Sequence, residues 1–404
     1  MAVLRALRAL RAAPALVSRV ASVPYDVVDT AEARALAAGN PLSFLHVVRP
    51  EIDLPPGTDV HADAVYAQGR EGLGRLRAEG AIVADPEPAL YLYRQVMDGR
   101  AQVGVMGCAA VDEYDADLIK KHEKTRPDKE DDRTRHLLAI GGQTGPVLLT
   151  YAASAAIDAI VQRTTSGAAL FDFVAQDGIR HTLWTADPAD HAAIVSGFEE
   201  LPALYIADGH HRAASAARAR RALAGRGPGE HDRVLAVAFP DDQMQIFPYH
   251  RVVKDLNGLT EAQYMEAVGR HARVTEGARD AATNRGHAAM YVGAHWYRLG
   301  LNTPTANHDA ASALDVSVLQ STVLEPVLGI QDVRTDKRID FVGGIRGTAE
   351  LERLVDSGAW AVAFALHPVS VRDLMEIADA GGIMPPKSTW FEPKLRDGLL
   401  SHLI

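Results

Sequence analysis

LYIADGHHRAASAAR, running from Leu204 to Arg218, decides how the rest of this chain is read. An apolar run, Leu204 to Ala207, enters Asp208-Gly209-His210-His211-Arg212 and leaves into the small residues Ala213, Ala214, Ser215, Ala216 and Ala217. That pattern predicts a buried strand, a sharp turn and a closely packed helix. Asp208 can cap the helix, Gly209 lets another backbone approach, and the free amides of the first helical turn point toward an anion. Arg212 offers a planar fork for phosphate oxygens, and the paired histidines can donate hydrogen bonds or exchange protons near neutral pH. The competing reading is a capped helix with two surface histidines and a salt-bridged arginine. Against it stands the crowding of Asp, two His and Arg at one strand end, where open α/β sheets hold their ligands.

Magnitudes require partners for this turn. A helix terminus contributes roughly 0.3–1 kcal/mol toward an anion, up to ~2 when partly buried. A charged hydrogen bond adds roughly 1.5–3 kcal/mol, whereas micromolar binding needs about 8 kcal/mol. The first candidate segment is Lys120-Lys121-His122-Glu123-Lys124-Thr125-Arg126-Pro127. In it Glu123 is suited to act as general base toward a hydroxyl, and Lys121 or Arg126 to neutralise phosphoryl charge; a solvated charged loop reads equally well. The second runs from Met384 to Lys394, where Lys387, Ser388 and Thr389 can hold a phosphate and Trp390 or Phe391 can cover a base; ordinary packing is the alternative. A third, Arg334 to Phe341, reads more simply as a surface turn before a strand, and Tyr25-Asp26 as a pinned turn.

Composition narrows the classes. With 404 residues, 47% of them hydrophobic, the chain is long enough for two or three modest cores. Its formal charge of -10 opposes nonspecific binding to nucleic acid or anionic lipid, so the expected partner is a small molecule, with a homodimer compatible. The lone Cys108, in VGVMGCAAV, excludes a disulfide framework and reads as a buried small hydrophobe. Arg5, Arg8 and Arg11 recur at near-helical spacing in the opening stretch, which prompts a targeting check. They interrupt any secretory apolar segment, no membrane-length run follows, and the chain reads as cytoplasmic, an organelle transit peptide being the minor alternative.

Along the chain, a helix is predicted over Thr30 to Ala38, a buried strand over SFLHVVRPEI and a helix over Asp63 to Glu79. A β-hairpin is predicted over Ala89 to Val111 around Asp98-Gly99, and a helix from near Pro127. Further strands fall at Gly145 to Tyr151, His181 to Ala186, Leu204 to Ala207 and Val234 to Phe239. KDLNGLT introduces a helix and sets a lobe boundary near Gly258. Beyond it come a hairpin over Ala288 to Leu299, helices near Val316 to Val327 and Thr348 to Val355, the strand WAVAFAL and a final helix. The fold class is therefore α/β (α+β), with residues 1–258 as the core lobe, 259–404 as a C-terminal α/β lobe, and 384–394 free to return to the cleft.

Read together, SVPYDVV, SFLHVVRPEIDLP, HEKTRPDK, ADGHHRAASA, VVKDLNGL, TDKRIDFVGGI and MPPKSTWFEPK resemble the bacterial domain-of-unknown-function family numbered one-thousand-and-fifteen, over nearly the whole chain. Val23 stands where a second Pro is expected, a departure that touches the loop more than the chemistry. ADGHHRAASA also resembles the nucleotide-binding turn of the ParB and sulfiredoxin-like fold, which implies a mixed-sheet core. Within that fold, free serine kinases carry a similar turn and use an upstream glutamate as base. By position, the resemblance implies that Asp208 through Arg212 bind nucleotide phosphates and metal, with Glu123 as base. The leading expectation is thus a kinase using ATP or ADP and Mg²⁺ on a small hydroxylated metabolite such as free L-serine. Its catalytic residues would be Glu123, Asp208, His210 and His211, and Asp208 would hold the metal. Its phosphate-binding residues would be Gly209, Arg212, Lys121, Thr125, Arg126, Lys387, Ser388 and Thr389. The rivals are a metal-dependent phosphohydrolase and a non-catalytic nucleotide switch.

Overall fold

Alternating side chains on either side of Asp98-Gly99 build the central hairpin: β1 (Tyr91–Met97) pairs with β2 (Arg100–Ala110), Met97 opposite Arg100. Both turn residues adopt positive φ, 50° at Asp98 and 78° at Gly99, as a tight two-residue reversal requires. Around the hairpin stand β3 (Ile119–Lys120), β4 (Val147–Tyr151), β5 (Phe171–Val174), β6 (Arg180–Thr185), β7 (Leu204–Asp208) and β8 (Arg233–Pro240). The sheet order is β3-β7-β4-β8-β2-β1-β6-β5. Two contacts are parallel, β7 with β3 and β8 with β4, and the others are antiparallel, so the sheet is mixed.

The computed structural model describes residues 1–277, 279, 282, 284–301 and 309–404. They form two units, Met1–Met244 with Pro393–Ile404, and Gln245–Glu392. In the first unit, helices α1 (Asp63–Ala78), α2 (Pro127–Ile140), α3 (Ala155–Thr165), α4 (His191–Glu199) and α5 (His210–Leu223) accompany the eight-stranded sheet. One core joins Leu92, Val105, Leu149, Ile206, Phe198 and Ala236 of sheet and helix. A smaller sheet brings Leu400–Leu403 between Leu10–Ala12 and Gly142–Gln143, which is how the chain's last residues become part of the first unit.

The second unit is an antiparallel sheet of β9 (Tyr249–Val253), β10 (Arg273–Glu276), β11 (His287–Val292), β12 (His295–Gly300), β13 (Ile339–Gly343) and β14 (Val362–Leu366). Their order is β10-β12-β11-β14-β9-β13. Helices α6 (Glu261–His271), α7 (Asp315–Leu319), α8 (Gly347–Asp356) and α9 (Val371–Asp379) complete it. The whole is α+β, with a mixed sheet at the core of the first unit. Among the described residues no helix is long and apolar enough to cross a membrane.

Four expectations change. SFLHVVRPEI is not a strand: Leu45–Val48 is a short α-helix and Pro50–Asp53 a 3-10 turn. Phe44, Leu45, Val47 and Val48 are all buried, and an apolar run covered on every side has no periodicity to separate strand from helix. The opening arginines do not form a helical face, because Val3, Leu4, Leu7 and Leu10 enter the core in extended chain while Arg5 pairs with Glu113 and Arg11 with Asp85. The second unit begins at Gln245, ahead of the Asn257-Gly258 turn, because β9 is an interior strand of its sheet. The helix read over Val316 to Val327 ends at Leu319 and continues as a wider turn, Gln320–Leu324.

Candidate functional site

The turn after β7 is built as its residues dictate. Leu204, Tyr205, Ile206 and Ala207 are buried, Gly209 takes φ 93°, and α5 starts at His210. A Cβ at Gly209 would lie 3.4 Å from the Val147 Cα, ordinary contact, so the requirement for glycine is conformational. Ala213, Ala214, Ser215, Ala216 and Ala217 are all buried, which lets α5 lie close to its neighbours, and the Ser215 hydroxyl donates to Glu130 O of α2. The N–H groups of His210, His211 and Arg212 belong to the first helical turn and have no acceptor within the helix.

Asp208 is the open end of the turn. Its Oδ1 accepts from Gly209 N at 2.8 Å, its Oδ2 lies 3.6 Å from Lys394 Nζ, and 41% of its side chain remains exposed. Crowding by protein works to raise this carboxyl, but Lys394, Arg212, the Gly209 N–H and His210 together hold it below the usual carboxylate range. It is a charged carboxylate at neutral pH.

The histidines are committed to main-chain groups. His122 N donates to His210 Nε2 at 3.4 Å, which leaves the proton on Nδ1, and that atom lies 3.6 Å from Glu123 Oε2. The His122 and His210 rings meet edge to face at 4.5 Å. Arg126 N donates to His211 Nε2 at 3.1 Å. Burial carries His210 well below its ordinary value, lowers His211, and takes His122 down to about 4. The expectation that these imidazoles exchange protons near neutral pH is therefore corrected: both are neutral there, and they pin the 122–126 segment to the start of α5.

Arg212 faces a different set. Its Nη1 donates to Pro146 O at 2.8 Å, its Nη2 lies 3.3 Å from Asp26 Oδ1, and its guanidinium stands over the Tyr25 ring at 5.5 Å. Arg133 stacks on the same ring at 4.1 Å. Although burial works against the charge of Arg212, Asp26, Asp397, Tyr25 and Asp208 secure it. Arg212, Arg133, Tyr25, Ser215, Gly145 and Asp397 line one narrow cleft. Burial pushes the Asp397 carboxyl up to about 7, against the pull of Arg212, and its Oδ1 has no hydrogen-bond partner among the described residues.

The structure thus brings Glu123 to the turn Asp208, Gly209, His210, His211 and Arg212. Other expected residues are engaged nearby: Lys121 Nζ donates to Tyr114 O and Asp117 Oδ1, Thr125 Oγ1 to Glu130, and Arg126 pairs with Asp128. Lys387, Ser388 and Thr389 belong to the second unit. The reading of the sequence named Lys394 only as the end of the Met384 to Lys394 segment, missed Arg133 and Asp397, and set Tyr25 and Asp26 aside. The only local signals were a cation closing the FEPK motif and a charged pair, Arg396-Asp397, leading into an apolar end. As a metal site the turn offers one carboxylate, and among the described residues no group of three or more His, Cys, Asp or Glu is arranged to hold an ion.

A family model described as "Protein of unknown function (DUF1015)" matches residues 4–317. No curated protein matches the chain. Among solved structures it is similar to a free serine kinase in complex with AMP, at 14% identity over 71% of this chain and 86% of that one, with a TM-score of 0.37. It is similar also to a conserved hypothetical protein from Pyrococcus furiosus, at 14% identity over 72% and 93%, TM-score 0.35. A third is SbnI with C-terminal truncation from Staphylococcus aureus, at 14% over 72% and 85%, TM-score 0.39. Likenesses at these scores carry no residue roles into this chain.

Proposed function

The chain belongs to the DUF1015 family, and from the site itself we propose that its first unit is a nucleotide-dependent phosphotransferase acting on a small hydroxylated metabolite. The observation that carries this reading is Glu123 held 3.6 Å from the Nδ1–H of a buried, neutral His210, on the same turn that presents Asp208 and Lys394. A carboxylate beside a neutral imidazole, a helix start and cationic side chains is an arrangement suited to taking a proton from a hydroxyl while phosphoryl charge is neutralised.

In this reading the amides of His210, His211 and Arg212 with Lys394 bind phosphate oxygens of ATP or ADP. Glu123 accepts the acceptor's hydroxyl proton. Asp208 alone suits a cation that arrives with the nucleotide better than a resident one, since Mg²⁺ is commonly held by one or two carboxylates plus substrate phosphates. Such an ion would bridge phosphate oxygens and neutralise their charge. Lys394 already sits 3.6 Å from the same carboxylate, so part of that neutralisation is built into the chain.

Incubating the protein with ATP or ADP, Mg²⁺ and a panel of hydroxylated amino acids, free L-serine first, and analysing products by mass spectrometry tests the reading. Glu123→Gln should lower turnover by about 10²–10⁴-fold while nucleotide affinity stays within a few-fold. A wild-type rate unchanged in Glu123→Gln would remove the assigned base. A second reading, a nucleotide-binding switch without turnover, is favoured by one feature: both turn histidines are spent on holding the 122–126 segment. Nucleotide binding with no product from any acceptor would select it.

A further inference from the structure

Two glutamines face each other across the central hairpin, Gln95 on β1 and Gln102 on β2, both interior strands of the eight-stranded sheet. Gln95 is fully buried and Gln102 is 4% exposed. A buried amide is costly unless its polar atoms are bonded, a cost that an apolar side chain at the same position would not carry. Their bonds run in one direction. Gln102 Nε2 donates to Gln95 Oε1 at 3.0 Å, which fixes the Gln95 amide and leaves its Nε2 to donate to Lys394 O at 2.8 Å, 299 residues along the chain.

The same face of β1 holds the next turn of that segment. Tyr93, two residues before Gln95 and therefore on its side of the sheet, accepts from the Arg396 N–H, and its hydroxyl is hydrogen-bonded to His181 Nδ1 at 2.7 Å. His181 lies opposite Gln95 on β6. The Arg396 side chain, 3% exposed, pairs with Asp177, and its Nη1 donates to Lys394 O at 3.5 Å. The main chain on both sides of the Lys394 side chain is thus tied to the sheet by buried polar groups. From there the side chain, 16% exposed, brings Nζ to 3.6 Å from Asp208 Oδ2. A stem so covered has few rotamers open to it, so the place of the ammonium follows from where the main chain is fixed.

We propose that Gln95 is a positioning residue for Lys394: its amide, oriented by Gln102, sets the main chain that carries the ammonium to the Asp208 turn. The proposal rests on the reading in which Lys394 binds nucleotide phosphate, and it names the buried support that sets the strength of that contact. It also accounts for amides standing where apolar side chains would pack without a polar cost.

Calorimetric titration of ADP with Mg²⁺ into the full chain, beside urea denaturation of each variant, tests it. Gln95→Met keeps the length of the side chain and removes both bonds; it should weaken ADP by about 3-fold or more and lower the urea midpoint, because Gln102 Nε2 and Lys394 O lose a partner. Gln95→Met with Gln102→Met removes the orphaned amide as well, and should regain most of the midpoint while ADP stays as weak as in the single variant. In a Lys394→Met background, Gln95→Met should alter ADP affinity by less than about 1.5-fold, since the group it positions is gone. If Lys394→Met weakens ADP and Gln95→Met does not, the positioning role is overturned and the phosphate reading stands; if Lys394→Met has no effect, both fall. ADP affinity that recovers together with the midpoint in the paired variant, or an equal loss from Gln95→Met with and without Lys394, would make Gln95 a structural amide only and overturn the proposal.

Discussion

Two buried guanidinium groups, Arg212 in the first unit and Arg251 in the second, receive opposite treatment. Arg212 is surrounded by Asp26, Asp397, Asp208 and the Tyr25 ring, and its charge is strengthened; Arg251 rests on backbone carbonyls and an aromatic face, and its pKa falls to about 9. The contrast teaches that burial alone does not mark a ligand site. Around Arg212 the protein has supplied its own counter-ion, Asp26 at 3.3 Å, so that cation is already paired. Around Arg251 no carboxylate pairs with the guanidinium among the described residues, and main-chain carbonyls with an aromatic face take that place.

Stability should separate the two most strongly. Arg212→Met leaves Asp26 without the guanidinium that pairs with it, and breaking a buried pair in this way typically costs about 3–5 kcal/mol. Arg251→Met removes a charge that no carboxylate needs and should change stability by no more than about 1 kcal/mol in either direction, as replacing a buried charge with an apolar side chain often does. Urea denaturation of both variants reads the difference directly. Equal losses would mean that the carboxylates around Arg212 are not its counter-ions.

A pH series sharpens the same comparison. Asp397 is raised to about 7 by burial, so between about 4, the ordinary value, and about 7 the folded protein keeps a proton that the unfolded chain has released. Folding binds that proton, and stability falls as pH rises through this window, then levels off. Asp397→Asn abolishes the contribution, so the stability of wild type relative to the variant should decline by about 4 kcal/mol across the window. A difference that does not vary with pH would remove Asp397 from the Arg212 cluster as a titrating member. Smaller still is Gly209→Ala: at φ 93° a Cβ meets no close neighbour but adopts a strained backbone, for a loss of about 1–2 kcal/mol by thermal unfolding. No loss would show that the turn relaxes, and would weaken the argument that it is held in shape for a ligand.

The segment that fixes the first unit was legible because each of its parts carries a local signal: an apolar strand, Asp-Gly at a left-handed turn, then small residues where a helix packs closely. Asp98-Gly99 betrayed the hairpin by the same logic, and Pro127 the start of α2. What escaped lacked local cause. SFLHVV is buried on every side, so its burial leaves no period. Asp397 reaches the turn through contacts remote in sequence: Leu400–Leu403 adds to the small sheet beside Leu10–Ala12, and Asp397 itself pairs with Ser22. Arg251 gave no signal either, since an arginine inside YHRVV reads as the polar phase of an ordinary strand until its burial is seen.

The account places the nucleotide's phosphates at the start of α5, with Lys394 among their partners and Arg251 uninvolved. Titrating ADP with Mg²⁺ into wild type, Lys394→Met and Arg251→Met by calorimetry tests this most directly. The predicted result is saturable binding that Lys394→Met weakens by about 10-fold or more, as loss of a charged hydrogen bond implies, and that Arg251→Met leaves unchanged. No ADP binding, or an affinity indifferent to Lys394 and lost with Arg251, would contradict it.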